Sequence, residues 1–202
     1  MVTSDEIIKW MSSGNDNAKT LIDLKWAISK AGDYTVLQNE KIPFDIFLYV
    51  DNDKAAINLI VRTGMETATI ENEPRLKVYR TLLLLNARVE LVKFMLDGIN
   101  EEVVAREDFD ASTFTRDVLN TGLNTILASF YLMVKALNLE DEFNASVIER
   151  TGMMIKEMAK AGKSREDIKN YLMSSLGLGS DDAEKLISEV LDAGAAPKNM
   201  YQ

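Results

Sequence analysis

The sequence predicts an α+β fold: an antiparallel sheet of about five strands packed with helices, followed by an all-helical C-terminal region. Three observations predict it. Apolar residues recur at helical spacing in the N-terminal third and again over residues 113–137. Between these stretches the period drops to two, as Phe44, Ile46, Leu48 and Val50 alternate with Asp45, Phe47 and Tyr49. From Glu140 onward the helical period holds almost to the end of the chain. A period of 3.6 puts apolar side chains on one helix face, and a period of two puts them on one sheet face.

Taken in order, Ser4 with Asp5 and Glu6 makes a helix start with acid in the first turn, and Gly14 ends a helix over residues 4–13. A second helix is expected from about Asp16 or Asn17, carrying Leu21, Ile22, Leu24, Trp26 and Ile28 to a stop at Gly32. Tyr34 to Leu37 reads as a short strand. Two alternating runs follow, joined by the polar cluster Asp51-Asn52-Asp53, which makes an antiparallel hairpin. A further short strand is expected over residues 66–70. Pro74 suits the first turn of a helix that runs to Asn86. Residues 89–95 and 102–109 form a second hairpin around Asp97-Gly98, and Asp110 or Ser112 caps the long helix over 113–137.

Over residues 16–138 the order is therefore α-β-β-β-α-β-β-α. The domain reading is 1–138 for the α+β part with its extra N-terminal helix, 139–193 for the helical region, and 194–202 for a loose tail.

Composition narrows the chemistry. The chain has 202 residues, with no histidine and no cysteine. That removes imidazole acid–base catalysis, thiolate nucleophiles, disulfides and zinc–thiolate sites together. No cofactor is expected, and any metal site would have to be built from oxygen ligands. The 32 acidic and 23 basic side chains leave a net charge of −9, which repels phosphate backbones and argues against nucleic acid. The N-terminus has no apolar signal core, and the uncharged stretch between Asp117 and Lys135 is too polar to span a membrane. A cytoplasmic, soluble protein is expected.

Chemical motifs fail one by one. Gly162-Lys163-Ser164 looks like the end of a phosphate loop, but Glu157 stands where the first glycine belongs, and a helix precedes it. Asp51-Asn52-Asp53 opens like a calcium loop, but Ala56 and Arg62 occupy the positions that need Gly and Glu. Gly177-Leu178-Gly179 follows helix rather than strand, so it lacks the context of a dinucleotide fingerprint. The acidic groups Glu71/Glu73, Glu101/Glu102 and Glu107/Asp108/Asp110 could pair for acid–base work or hold Mg²⁺, but all fall at turns or strand ends. Met153, Met154 and Met158 read as helical core.

The strands carry a better clue. Phe47, Tyr49 and Ile60 fall opposite Ile46, Leu48, Ile57 and Leu59, on a face that should be polar if it met only water. Helices, a second subunit or a partner could cover it. Val92 and Phe94 of the later hairpin are expected beside them, so the candidate protein-binding surface is Phe47, Tyr49, Ile60, Val92 and Phe94.

The segment from Arg80 to Gly98, with its leucine-rich helix ending in Leu85-Asn86, its Phe-bearing strand and its Asp97-Gly98 turn, resembles the type III secretion chaperone-like fold and its YbjN-like group. Val103-Val104-Ala105-Arg106-Glu107 and the long helix extend the resemblance over about residues 16–138, and the helical region after 139 lies outside it. The resemblance implies a dimer-forming, partner-binding module without a known active site. Secretion chaperones of this fold are small, acidic and dimeric, and hold partner segments extended. The expected function is a non-catalytic protein-binding module, chaperone-like or scaffolding, a homodimer acting through an apolar sheet face or dimer surface on a protein partner the sequence does not name. The alternatives are a carboxylate and Mg²⁺-dependent enzyme, or a dimerisation domain presenting a helical interaction module.

Overall fold

In the computed structural model, residues 2–15 and 18–192 are described. The chain divides into two compact units, residues 1–140 and 141–202. The expected tail over 194–202 lies outside the described residues, as do Asp16 and Asn17.

The first unit opens with helix α1, Ser4–Ser12. Its cap is Thr3, one residue earlier than expected. The Glu6 amide donates to the Thr3 hydroxyl at 3.3 Å, and the Glu6 carboxylate accepts from the Thr3 amide at 2.9 Å. This reciprocal pair satisfies two helix-end donors. Ile7 and Met11, one turn apart, are the buried side chains of the helix.

The helix expected over 16–32 does not form. Its place is taken by a 3₁₀ turn, Leu21–Asp23, and strand β1, Ala27–Ala31. Buried Trp26 donates its indole N–H to the Leu21 carbonyl at 2.9 Å, which bends the chain between the two. Gly32 is the first central residue of a two-residue hairpin turn, with φ +60°. The glycine read as a helix stop is therefore the turn that pairs β1 with β2, Tyr34–Gln38.

Strands β3, Ile46–Asp51, and β4, Ala56–Glu66, form the first predicted hairpin. The Lys54 amide donates to Asp51 at 3.0 Å within its turn, so the acidic cluster there serves the reversal. The separate strand expected over 66–70 is absent, because β4 runs on to Glu66 and a 3₁₀ turn, Thr67–Thr69, follows. Thr67 is pulled aside by Glu101, whose carbonyl accepts from its amide at 3.2 Å and from its hydroxyl at 2.9 Å. Helix α2, Asn72–Asn86, leads to β5, Val92–Asp97, and β6, Glu102–Asp110. Helix α3, Arg116–Ala136, is capped by Thr115 rather than Asp110 or Ser112.

The sheet has six strands, one more than about five, in the order β1-β2-β3-β4-β6-β5, with every neighbour antiparallel. The sixth comes from the segment read as helix. One face is the core. Ile46, Leu48, Ile57, Leu59, Val61, Val92, Val103 and Ala105 are all almost fully buried on it. Helix α3 covers this face with Leu119, Leu123, Ile126, Phe130 and Met133. It comes so close at Gly122 that an added Cβ would collide with the Phe109 ring and press on Leu59 at 3.3 Å. The Phe44 and Phe130 rings meet at 4.3 Å between centroids.

The second unit contains α4, Glu140–Lys160, α5, Arg165–Ser175, and α6, Ser180–Asp192. Ser164 caps α5 as expected, with Asp167 closing the capping box. Gly162 ends the preceding helix at φ +82°, so the Gly-Lys-Ser motif is helix punctuation. Ile155, Ile168, Leu172, Ala183 and Ile187 make a small core of their own. Met154 and Met158 pack on that core, while Met153 is exposed.

Candidate protein-binding surface

In antiparallel sheets, directly paired residues share a face. The register therefore runs Val36, Phe47, Ile60, Arg106 and Lys93 in one row across β2, β3, β4, β6 and β5. Tyr49, Asn58 and Asp108 form a parallel row on the same face. This is the face away from α3. Phe47, Tyr49 and Ile60 thus come together as expected, and all three are half-buried.

Tyr34, which sequence reasoning placed in a strand but did not single out, completes the patch. Its ring meets Phe47 edge-on at 6.1 Å and Tyr49 at 5.5 Å. The aromatic rings shelter one another on the face away from α3, beside Val36 and Asn58, which are buried there. Such edge and tilted ring contacts are favourable beyond simple burial. At the β6 end the patch becomes polar. Arg106 donates to the Asp108 carboxylate at 2.6 Å, and the Asn58 amide donates to the same oxygen. Arg106 and Asp108 neutralise each other there, and Lys93 continues the row on β5.

Val92 and Phe94 do not belong to this surface. Phe94 pairs with Ala105, and Val92 with Glu107, so both point into the helix-covered core, where they are buried. The correction follows from register. The partner of Ile60 is Arg106, whose own partner is Lys93, one residue from Phe94. A shift of one residue moves a strand's whole apolar set to the other face.

The acidic groups do not converge. Glu107 and Asp108 alternate to opposite faces. Asp110 accepts from the Ser112 amide and hydroxyl at the start of the loop to α3. Glu101 accepts from the Tyr79 hydroxyl, and Glu102 from Arg62 at 2.6 Å. Among the described residues, no group of three potential metal-binding side chains comes together. No helix among them is long and apolar enough to cross a membrane.

Glu107, read from the sequence as one of a group of strand-end charges, is instead a core residue. Its side chain is buried in the core, and neither carboxylate oxygen has a hydrogen-bond partner among the described residues. Burial, with a smaller contribution from the Asp108 charge, pushes its pKa up to about 7.

Residues 6–137 match the model of a family described as a domain of unknown function, DUF8183. Residues 138–202 match a second model, HTH_78, also described as a domain of unknown function. No curated protein matches the chain. Among solved structures, YbjN from E. coli is similar at 14% identity and a TM-score of 0.49, covering 69% of this chain and 94% of its own. The HopA1–SchA chaperone–effector complex is similar at 15% identity and a TM-score of 0.39, covering 54% of this chain and 78% of the matched chain.

Proposed function

Since the chain belongs to the DUF8183 family, a domain of unknown function, we propose from its own geometry that it is a non-catalytic, chaperone-like protein-binding module. One observation carries this reading: Tyr34, Phe47, Tyr49 and Ile60 gather as an aromatic and aliphatic patch on the sheet face turned away from α3. Contiguous apolar surface of this kind marks interaction sites. Flat aromatic side chains offer large contact area at low entropic cost, which suits apolar segments of varied sequence. The homodimer implied by the sequence resemblance would form on the same face, and the protein would act in the cytoplasm.

The test is the double variant Phe47→Asp, Tyr49→Asp. Both positions are half-buried on the surface, so the fold should survive, as circular dichroism would show. Wild-type protein should retain a set of proteins from native lysate that the variant loses. Sedimentation equilibrium on both forms then separates self-association from partner binding. Identical captured sets and identical masses would remove the sheet face from consideration.

A further inference from the structure

The sheet has two edges, β1 and β5. At β5 the Asn86 side chain bonds both main-chain groups of Phe94, at 2.8 Å and 3.0 Å. Strand β1 has no such guard. Its hairpin with β2 turns on Gly32 and Asp33, with Ala31 paired to Tyr34. A two-residue hairpin makes the flanking pair a hydrogen-bonded one, and the pattern alternates from there. Ala27, Ser29 and Ala31 therefore bond β2, while the N–H and C=O of Ile28 and Lys30 point to the open edge. Among the described residues, no hydrogen bond reaches those edge groups.

Natural sheets protect an edge with a proline, a bulge or a charge standing over it. β1 contains no proline and pairs with β2 without a register shift. Its one charged residue, Lys30, donates to the Thr35 hydroxyl of β2 at 2.8 Å, so the ammonium is drawn back over the sheet. The strand is also self-complementary. Set antiparallel against a second copy about Ser29, it places Ser29 opposite Ser29, Ala27 opposite Ala31, and Ile28 opposite Lys30. Each Ile28–Lys30 pair exchanges two main-chain bonds, so every edge group of both copies is satisfied. The pairs without main-chain bonds bring Cα atoms to about 4.5 Å. Serine and alanine, all exposed here, suit that approach. We propose that two copies of this chain join antiparallel along β1, merging two six-stranded sheets into one about a twofold axis at Ser29.

Size and charge select a second copy. In this register no lysine faces a lysine, whereas a shift of two residues toward the turn sets Lys30 opposite Lys30, and like charges directly opposite are destabilising. A strand of an unrelated protein meets the same main-chain groups, but nothing in β1 selects its sequence, while β1 matches itself. The inference deepens the functional reading and rests on its dimer. On the face away from α3, Ala31 begins the row through Tyr34, and Ser29 the row through Val36 and Phe47. The seam therefore runs along the border of that face. A twofold axis normal to the sheet keeps both aromatic patches on one side, flanking a shallow strip of alanine and serine.

Sedimentation velocity of the full chain, from about 1 μM to about 1 mM, should show a monomer–dimer equilibrium. Lys30→Pro removes an outward N–H and keeps the bonds to β2, so it should stay monomeric throughout. Lys30→Ala keeps that N–H and should dimerise like wild type. Ser29→Lys opposes two charges at the axis and should also abolish the dimer. Cross-linking reads the register. The chain has no cysteine, so Ser29→Cys carries a single thiol, placed within disulfide reach of its counterpart. It should oxidise to a covalent dimer. Ala27→Cys, about 13 Å along the strand from its counterpart, should not. Circular dichroism checks the fold of each variant. The double variant Phe47→Asp, Tyr49→Asp should keep the dimer, and its lysate partners bear only on the aromatic patch, so that reading can fail while this one stands. A wild type that stays monomeric overturns the proposal. So does a dimer that survives both Lys30→Pro and Ser29→Lys, a dimer lost in the Phe47, Tyr49 variant, or equal cross-linking at the two cysteines.

Discussion

Asn86 acts as a substitute strand for Phe94. The Phe94 amide donates to the Asn86 side-chain oxygen at 2.8 Å, and the Asn86 amide donates to the Phe94 carbonyl at 3.0 Å. Phe94 lies at the middle of β5, the edge strand, so these are the main-chain groups that a seventh strand would claim. Natural sheets block such edges to prevent edge-to-edge pairing.

Asn86→Ala should therefore have two effects. Two main-chain groups lose their partners, at about 1–3 kcal/mol of stability. The β5 edge also opens, so the variant should self-associate more readily. Urea denaturation reads the first, and light scattering after size exclusion reads the second. A variant as stable and as monodisperse as wild type would contradict the role assigned to this side chain.

Glu107 gives the unit an unusual pH dependence. Its folded pKa of about 7 lies above its ordinary value of 4.5, so the folded chain holds this proton more tightly than the unfolded chain. Stability should fall as pH rises from about 4.5 to about 7, and stay reduced above that. The full effect is roughly 3 kcal/mol. Glu107→Leu should flatten this slope and be the more stable protein at pH 8. Denaturant titrations at pH 5, 6, 7 and 8 would show it, and parallel profiles for the two proteins would refute it.

Gly122 tests how tightly α3 sits on the sheet. Alanine there gains helix propensity of about 1 kcal/mol. It also drives a methyl into the Phe109 ring. Overpacking of this kind costs about 1–3 kcal/mol. Gly122→Ala should be net neutral to destabilising, and Gly122→Val clearly destabilising, by thermal melting. The double variant Gly122→Ala, Phe109→Leu should recover part of the loss.

The two units offer separate reporters. Both tryptophans, Trp10 and Trp26, lie in the first unit. Leu172 is fully buried in the small core of the second. Leu172→Ala should cost about 2–5 kcal/mol there. Helical ellipticity should then fall at a lower urea concentration than in wild type, while the tryptophan fluorescence transition stays in place. A joint shift of both signals would mean that the units unfold together.

Much of this architecture is legible in the sequence, because it rests on local periods. The alternation in Ile46–Asp51 and the Ser164 capping box each state their own structure. The misreadings share another cause. Leu21 to Ile28 has helical spacing, yet the hydrogen bond from Trp26 to Leu21 and pairing with β2 decide its conformation. The faces of Val92 and Phe94 depend on the register between β4 and β6, which no local pattern encodes. Within the candidate surface, Phe47, Tyr49 and Ile60 were readable because they sit on one hairpin. Buried Glu107 was not, since its environment comes from other strands and α3, and a carboxylate at that position reads as a strand-end charge.

That same β4–β6 ladder is the long-range seam of the sheet. β3–β4 and β5–β6 are hairpins that close short loops, and Asn86 meets Phe94 only eight residues away. The seam between the hairpins is different: the Thr63 hydroxyl reaches the Val103 carbonyl at 2.7 Å across 40 residues of chain. Loop-closure entropy must be met there before any contact rewards it. Each hairpin closes a short loop, whereas joining the two beneath α3 carries the larger entropic cost of the fold.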